Sequence, residues 1–276
     1  MGNNSRSRSL FWGACLLVLA GCATAPVTGR QELILVPFDQ EVQMGAQAYQ
    51  EILQSEPVSN DPAWTGLVQR VGQRIAQVSD MPKLNWEFKV IESKEINAFC
   101  LPGGKVAVYT GILPIAKTEA GLAAIIGHEV GHAVARHAGE RMSHALLVNL
   151  GLSAADLSLQ NSQYKSTILA AMGLGANVGV LLPYSRKQES ESDHIGTVYM
   201  AKAGYDPREA VRLWERMDKV GGERPPSFLS THPAPSDRIQ ELQVIAQDAM
   251  QYYQNAPKQY GQGELIQVRP ASAKAE

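Results

Sequence analysis

The sequence predicts an α+β fold, predominantly helical, with a small β-sheet beside a central helix. Three observations predict it. Apolar residues recur at helical spacing in several segments, strand-like alternation is confined to two short runs, and 276 residues at 45% hydrophobic and 19% charged suffice for one compact domain. No internal repeat is evident, and the basic residues are dispersed with no basic stripe, which excludes nucleic acid as a partner.

The elements follow in chain order. Arg6 and Arg8 precede an apolar run from Leu10 to Ala20, the layout of a signal peptide and too short to span a bilayer comfortably. Leu19-Ala20-Gly21-Cys22 resembles a bacterial lipobox, so Cys22 is the expected lipidation site, and Ala23 after it points to sorting to the outer membrane. Acyl chains on Cys22 tether the protein stably, at about 0.8 kcal/mol per buried methylene. The chain then divides into a signal over 1–21, one domain over 22–255 and a polar, loosely held tail over 256–276. Removing the leader takes Arg6 and Arg8 from the 25 basic residues but none of the 27 acidic ones, so the mature net charge is −4. Cys15 leaves with the leader and Cys22 carries lipid. Cys100 alone remains, which rules out an intrachain disulfide and reads as a buried apolar cysteine.

Asp61-Pro62 is an N-cap with proline at N1, followed by Trp64, Leu67, Val68, Val71, Ile75 and Val78 at helical spacing. Trp86 to Ile91 alternates as a strand, and Gly104 to Tyr109 reads as a second strand after a Pro-Gly-Gly turn. Thr118-Glu119 caps a helix that runs through Ala120–Gly127 and stops at Gly139. The uncharged stretch Ser166–Leu182 is at the short end for a membrane span and is broken by Gly173, Gly175 and Gly179, so it reads as a helix near the cleft. Asp206-Pro207-Arg208-Glu209 forms a capping box for the helix carrying Val211, Leu213, Trp214 and Met217. Val220 to Pro235 is a Gly/Pro-rich loop that carries His232, and Ser236 caps a final helix.

The chemistry lies in His128-Glu129-Val130-Gly131-His132. Two histidines four apart share a helix face and can grip one cation, while Glu129 can point at a water that the cation activates. A further ligand is needed. A metzincin would continue with Gly at position 135 and His at position 138; Ala135 and Ala138 exclude it, and His137 is one residue off the ligand face. His144 has no phase that returns it to the metal. Downstream, Glu189 and Asp193 share a helix face, whereas Glu191 sits about 200° round from Glu189. Glu189 is therefore the candidate third ligand and Asp193 the acceptor that holds a histidine N–H.

These two motifs, with Thr231-His232-Pro233 and Arg238-Ile239 behind them, resemble the HtpX-type, CAAX-prenyl-endopeptidase-type and mitochondrial Oma-type zinc metalloendopeptidases. Asn97 to Gly104, running into Val106 to Gly111, is similar to that family's sequence ahead of the zinc helix, and Val27 to Leu33 looks Oma-like. Cys100 departs from the family, where alanine is commoner. The resemblance implies a zincin-like metallopeptidase domain, one Zn2+ per chain, and Glu189 as ligand. It also marks His232, either as a transition-state donor, as a fourth zinc ligand that holds the enzyme latent, or as a loop residue braced by Pro233.

The expected activity is endoproteolysis, with Glu129 taking the proton from water and returning it to the leaving amine. Val106, Ala107, Val108 and Tyr109 are the expected substrate strand, offering a free edge to an extended peptide. Such binding suits unfolded or misfolded envelope proteins as substrates, with the membrane as a partner through the lipid anchor. The alternative is an outer-membrane assembly factor or chaperone working with the outer-membrane assembly machinery, its protease activity latent. A purely structural zinc site would be a closed, cysteine-rich cage, which these residues do not make.

Overall fold

The structure, a computed structural model, describes residues 22–155, 184–220, 226–233, 237–263 and 265–266. The leader over 1–21, the stretch Ser166–Leu182 and the proposed cap Ser236 lie outside them. Helices dominate, as the periodicity predicts. A short hairpin of β1 (Cys22–Thr24) and β2 (Gln31–Leu33) opens the chain, followed by α1 (Phe38–Ser55) and α2 (Pro62–Val78). Three strands come next: β3 (Glu87–Ile91), β4 (Ala98–Leu101) and β5 (Lys105–Tyr109). The helices α3 (Leu113–Ala116), α4 (Glu119–Val134), α5 (His137–Ala155), α6 (Arg186–Lys202), α7 (Arg208–Met217), α8 (Ser227–Thr231) and α9 (Arg238–Gln254) complete the described chain. No helix among the described residues is long and apolar enough to cross a membrane.

The local signals act as expected at α2, where the Asp61 carboxylate accepts from the Ala63 N–H at 2.8 Å and Pro62 opens the helix. Val68, Val71 and Ile75 on its inner face are fully buried against the sheet and α4. At α7 the expected capping box is absent. Asp206 Oδ1 accepts from the Arg208 N–H at 2.9 Å, but Glu209 turns away to Arg212 and Arg216, because those cations lie on its own helix face.

The sheet overturns one expectation. Its order is β3-β5-β4, with β3 parallel and β4 antiparallel to β5. The strand carrying Val106, Ala107, Val108 and Tyr109 is thus the middle one, hydrogen-bonded on both sides, and has no free edge for a peptide. The Pro-Gly-Gly turn is a hairpin between β4 and β5, with Gly103 and Gly104 at φ 84° and 76°, where side chains are strained. The edge facing the central helix belongs to β4.

Gly139 also differs from expectation: it lies inside α5, not at a helix stop. The chain breaks at Arg136, whose φ of 51° is left-handed, and His137 starts the next helix. Tertiary contacts hold that conformation, since the Arg136 guanidinium pairs with Glu41 and donates to the Val36 carbonyl. The first part of the tail is held to the body rather than loose. The Tyr260 N–H donates to the Gly204 carbonyl at 2.8 Å and the Ile266 N–H to the Lys117 carbonyl at 2.9 Å.

Candidate metal centre

Two helices bring the polar residues of the site together. Thr118 caps α4, its hydroxyl accepting from the Gly121 N–H at 3.0 Å, and the buried helix delivers His128, Glu129 and His132. Ser185 starts α6 with a full capping box to Gln188, which sets Glu189 in the first turn and Asp193 one turn on. The helices meet backbone to backbone. A Cβ on Gly196 of α6 would stand 2.6 Å from the His128 amide nitrogen, so only glycine permits this approach.

His128, His132, Glu189 and His232 are all buried and offer ligand atoms that lie within 4.8 Å of one another. The Nε2 atoms of His128 and His132 face each other at 3.0 Å. Their other nitrogens are already engaged. Nδ1 of His128 is 2.9 Å from Asp193 Oδ1, where it can only donate, and Nδ1 of His132 is 2.7 Å from His137 Nδ1. With both Nδ1 atoms donating and His128 stripped of its second proton, the two Nε2 atoms would turn lone pairs to one point, the arrangement that a cation between them would use. Glu189 Oε1 lies 3.3 Å from His132 Nε2 and 3.0 Å from His232 Nδ1. Buried Glu189 Oε2 and Glu129 Oε1 have no hydrogen-bond partner. The donor set of three imidazoles and a carboxylate, beside buried carboxylate oxygens that accept no hydrogen bond, fits a divalent metal of the zinc class.

His232 enters from α8. Its ring stacks on Phe228 at 4.4 Å, and its Nε2 sits 3.5 Å from Glu129 Oε1. The helix α8 is tied at both ends, by the Phe228 N–H to the Ile96 carbonyl at 3.0 Å and by the Thr231 carbonyl to the Tyr184 N–H at 2.9 Å. Tyr184 in turn stacks on His132 at 3.9 Å. The whole centre is closed, with Glu129 only 1% exposed.

Burial pushes the Glu129 carboxyl above the usual carboxylate range, against the pull of His232 and His128 and a hydrogen bond from the Cys100 backbone N–H. Burial likewise drives His132 well below the ordinary histidine value. For His128 burial works the same way, but Glu189 and Asp193 outweigh it and raise the ring to about 9. In the metal-free chain this imidazolium adds stability that is fully present below the unfolded value of 6.5 and is lost as pH rises through about 9. A metal needs the neutral ring. Apparent metal affinity is thus expected to rise with pH up to about 9, by as much as about tenfold per unit as one proton is displaced. Competition against a chromophoric chelator from pH 7 to 9 measures this; a flat profile would show that His128 holds no such proton.

Asp193 is where the facing argument puts it, and it carries more than a histidine. Arg238, 2% exposed, sets Nη2 2.7 Å from Asp193 Oδ1 and Nη1 3.3 Å from Glu189 Oε2, with its guanidinium 3.2 Å over the Trp214 ring. Sequence reasoning held Arg238 only as part of a family-like motif and passed over Tyr184. It also set His137 aside as off the ligand face. His137 is indeed outside the four-residue group, yet it touches His132 directly. His144 is exposed. The side chain of Cys100 is buried and free, as expected.

Residues 62–246 match the model of Peptidase family M48. The chain is 41% identical over 223 residues to the mitochondrial metalloendopeptidase OMA1 of Schizosaccharomyces pombe, covering 79% of this chain and 64% of that protein. Against the mitochondrial metalloendopeptidase OMA1 of Saccharomyces cerevisiae it is 30% identical over 273 residues, 90% of this chain and 75% of the relative. With the beta-barrel assembly-enhancing protease of Escherichia coli K12 it shares 29% identity over 223 residues, 78% of this chain and 46% of the relative. The chain thus spans less than two thirds of the length of the Schizosaccharomyces pombe and Escherichia coli proteins.

Proposed function

The chain belongs to peptidase family M48, and we propose that it is a zinc-dependent endopeptidase of the bacterial envelope that cleaves unfolded or misfolded proteins. One observation carries the reading: Glu129 Oε1, buried without a hydrogen bond, lies beside a cluster whose imidazole nitrogens and Glu189 carboxylate converge on one point. His128, His132 and Glu189 would hold zinc, which supplies Lewis-acid polarisation of a carbonyl and activation of water. Glu129 is the general base. Its burial raises its proton affinity toward the range in which a carboxyl can both take a proton and give it back to the leaving amine. The Cys100 N–H fixes the carboxylate's direction, and Asp193 with Arg238 fixes His128.

An extended substrate is placed on β4 in this reading, not on β5. Tyr109 bonds to Asn97 across the hairpin, so strand alternation turns the backbone groups of Ala98 and Cys100 away from β5 and toward Glu129. Peptide added there would run past the general base. In the closed form, α8 caps the start of this edge at Ile96, and His232 fills the coordination place that water needs. We therefore assign His232 to latency rather than to the transition state.

Lipid anchoring at Cys22 fits this substrate class, because it would hold the enzyme where outer-membrane proteins are assembled. The relative named as a beta-barrel assembly-enhancing protease favours the second reading, an assembly factor whose proteolysis is held in reserve. Both readings share the same site. The test is digestion of unfolded casein by the full chain: cleavage is expected, stops with a chelator and returns with zinc. A zinc-loaded, folded chain that leaves casein intact both with His232 present and with it removed would reject the peptidase reading.

A further inference from the structure

We propose that the N-terminal hairpin is a positioning element of the metal centre, in which Arg30 acts through Glu191 and His137 to fix the ring of His132. The proposal rests on the metal reading given above. It begins with the tautomers. If His132 turns Nε2 to the metal, its Nδ1 carries the proton and donates it. The atom that receives it is His137 Nδ1 at 2.7 Å, so the proton of His137 must sit on Nε2. That proton is donated to Glu191 Oε2 at 2.9 Å. The chain of donors has one direction only.

Glu191 is then held by the hairpin. Its Oε1 accepts from the Thr28 hydroxyl, and its Oε2 pairs with Arg30 Nε. Arg30 spreads over two more carboxylates, Glu32 at 2.6 Å and Glu140 at 2.7 Å, and Gln188 donates to Glu140 at 2.8 Å.

Among the described residues, Glu32, His137 and Glu191 have the spacing of a second metal site. Arg30 already supplies the cation there, so the cluster is read as a brace. The hairpin geometry serves this brace. Gly29 at φ 71° and the Ala25–Arg30 backbone bond of 2.8 Å fold Thr28 and Arg30 onto the same carboxylate. The two zinc-helix histidines are thus oriented differently, His128 by a carboxylate of α6 directly, His132 through a second histidine by a segment beside the proposed anchor.

The test uses the full chain and measures zinc affinity by chelator competition, the visible spectrum of the cobalt-substituted protein, and melting of the metal-free form. His137→Phe removes the acceptor and is expected to weaken zinc binding by about 10–100-fold and to change the cobalt spectrum. His137→Asn places an oxygen near the lost Nδ1 and is expected to restore most of the affinity. Arg30→Met is expected to weaken binding as well, and to add little in the His137→Phe background. His128→Ala separates the two levels of argument: if it too bound zinc as the wild type does, the metal reading would fail rather than the brace. The brace is overturned if folded His137→Phe and Arg30→Met bind zinc normally while His128→Ala does not, or if Asn and Phe at position 137 lose the same affinity. Two tightly bound zinc ions per wild-type chain would also overturn it, in favour of a second metal.

Discussion

Glu129→Gln is expected to keep its metal and lose proteolysis by about 10²–10⁴-fold, the range that a positioned general base supplies. The substitution is nearly isosteric and buried. The amide oxygen can still accept from the Cys100 backbone N–H, so the side chain keeps its direction while losing the ability to take a proton. Burial disfavours the charged carboxylate here, hence the neutral amide is expected to leave the melting temperature unchanged or slightly higher. Zinc content should remain that of the wild type, because Glu129 is outside the four-residue cluster. Glu189→Gln sets the contrast, since it removes a member of that cluster and is expected to release zinc. Metal analysis beside casein digestion reads both variants. A fully active Glu129→Gln protein would end the assignment of the base.

The placement of these two glutamates was legible in the sequence because both depend on helical phase. An i, i+4 pair faces one way wherever the helix lies, so His128, His132, Glu189 and Asp193 needed only two correctly recognised helices. Local caps at Thr118 and Ser185 marked where each begins. What the sequence hid was non-local. The parallel pairing of β3 with β5, with β4 on the other side of β5, turns the expected edge into the sheet's centre. The run Ala98–Leu101 ahead of the Pro-Gly-Gly turn was the available signal for a third strand, being short, apolar and bounded by a turn. At Arg136 no glycine announces the break, since contacts to Glu41 and Val36 from another helix and its approach hold the left-handed residue. Arg30 and Glu191 are 161 positions apart, and no spacing rule brings them together.

His232→Ala is expected to raise proteolysis, by about tenfold if the metal–imidazole contact holds the closed form by about 1.4 kcal/mol. The geometry argues for that sign. His232 Nδ1 lies 3.0 Å from Glu189 Oε1 and 3.2 Å from His128 Nε2, inside the cluster and not above it. Its Nε2 is 3.5 Å from Glu129 Oε1, so no water fits on the line between the imidazole and the general base. A transition-state donor would need that water and a carbonyl in place with the imidazole beside them. Here the imidazole stands where they would be. Removing it leaves three ligands and an open position, so zinc affinity is expected to fall while turnover rises. Part of the Phe228 stacking is lost as well, and a lower melting temperature is expected to accompany the gain. The measurement is the initial rate on unfolded casein with zinc in excess, so that weaker binding does not disguise faster turnover. A loss of about 10² in kcat with zinc still bound would instead assign His232 to the developing oxyanion. An unchanged rate would refute both roles and leave the ring as packing between Phe228 and Tyr184.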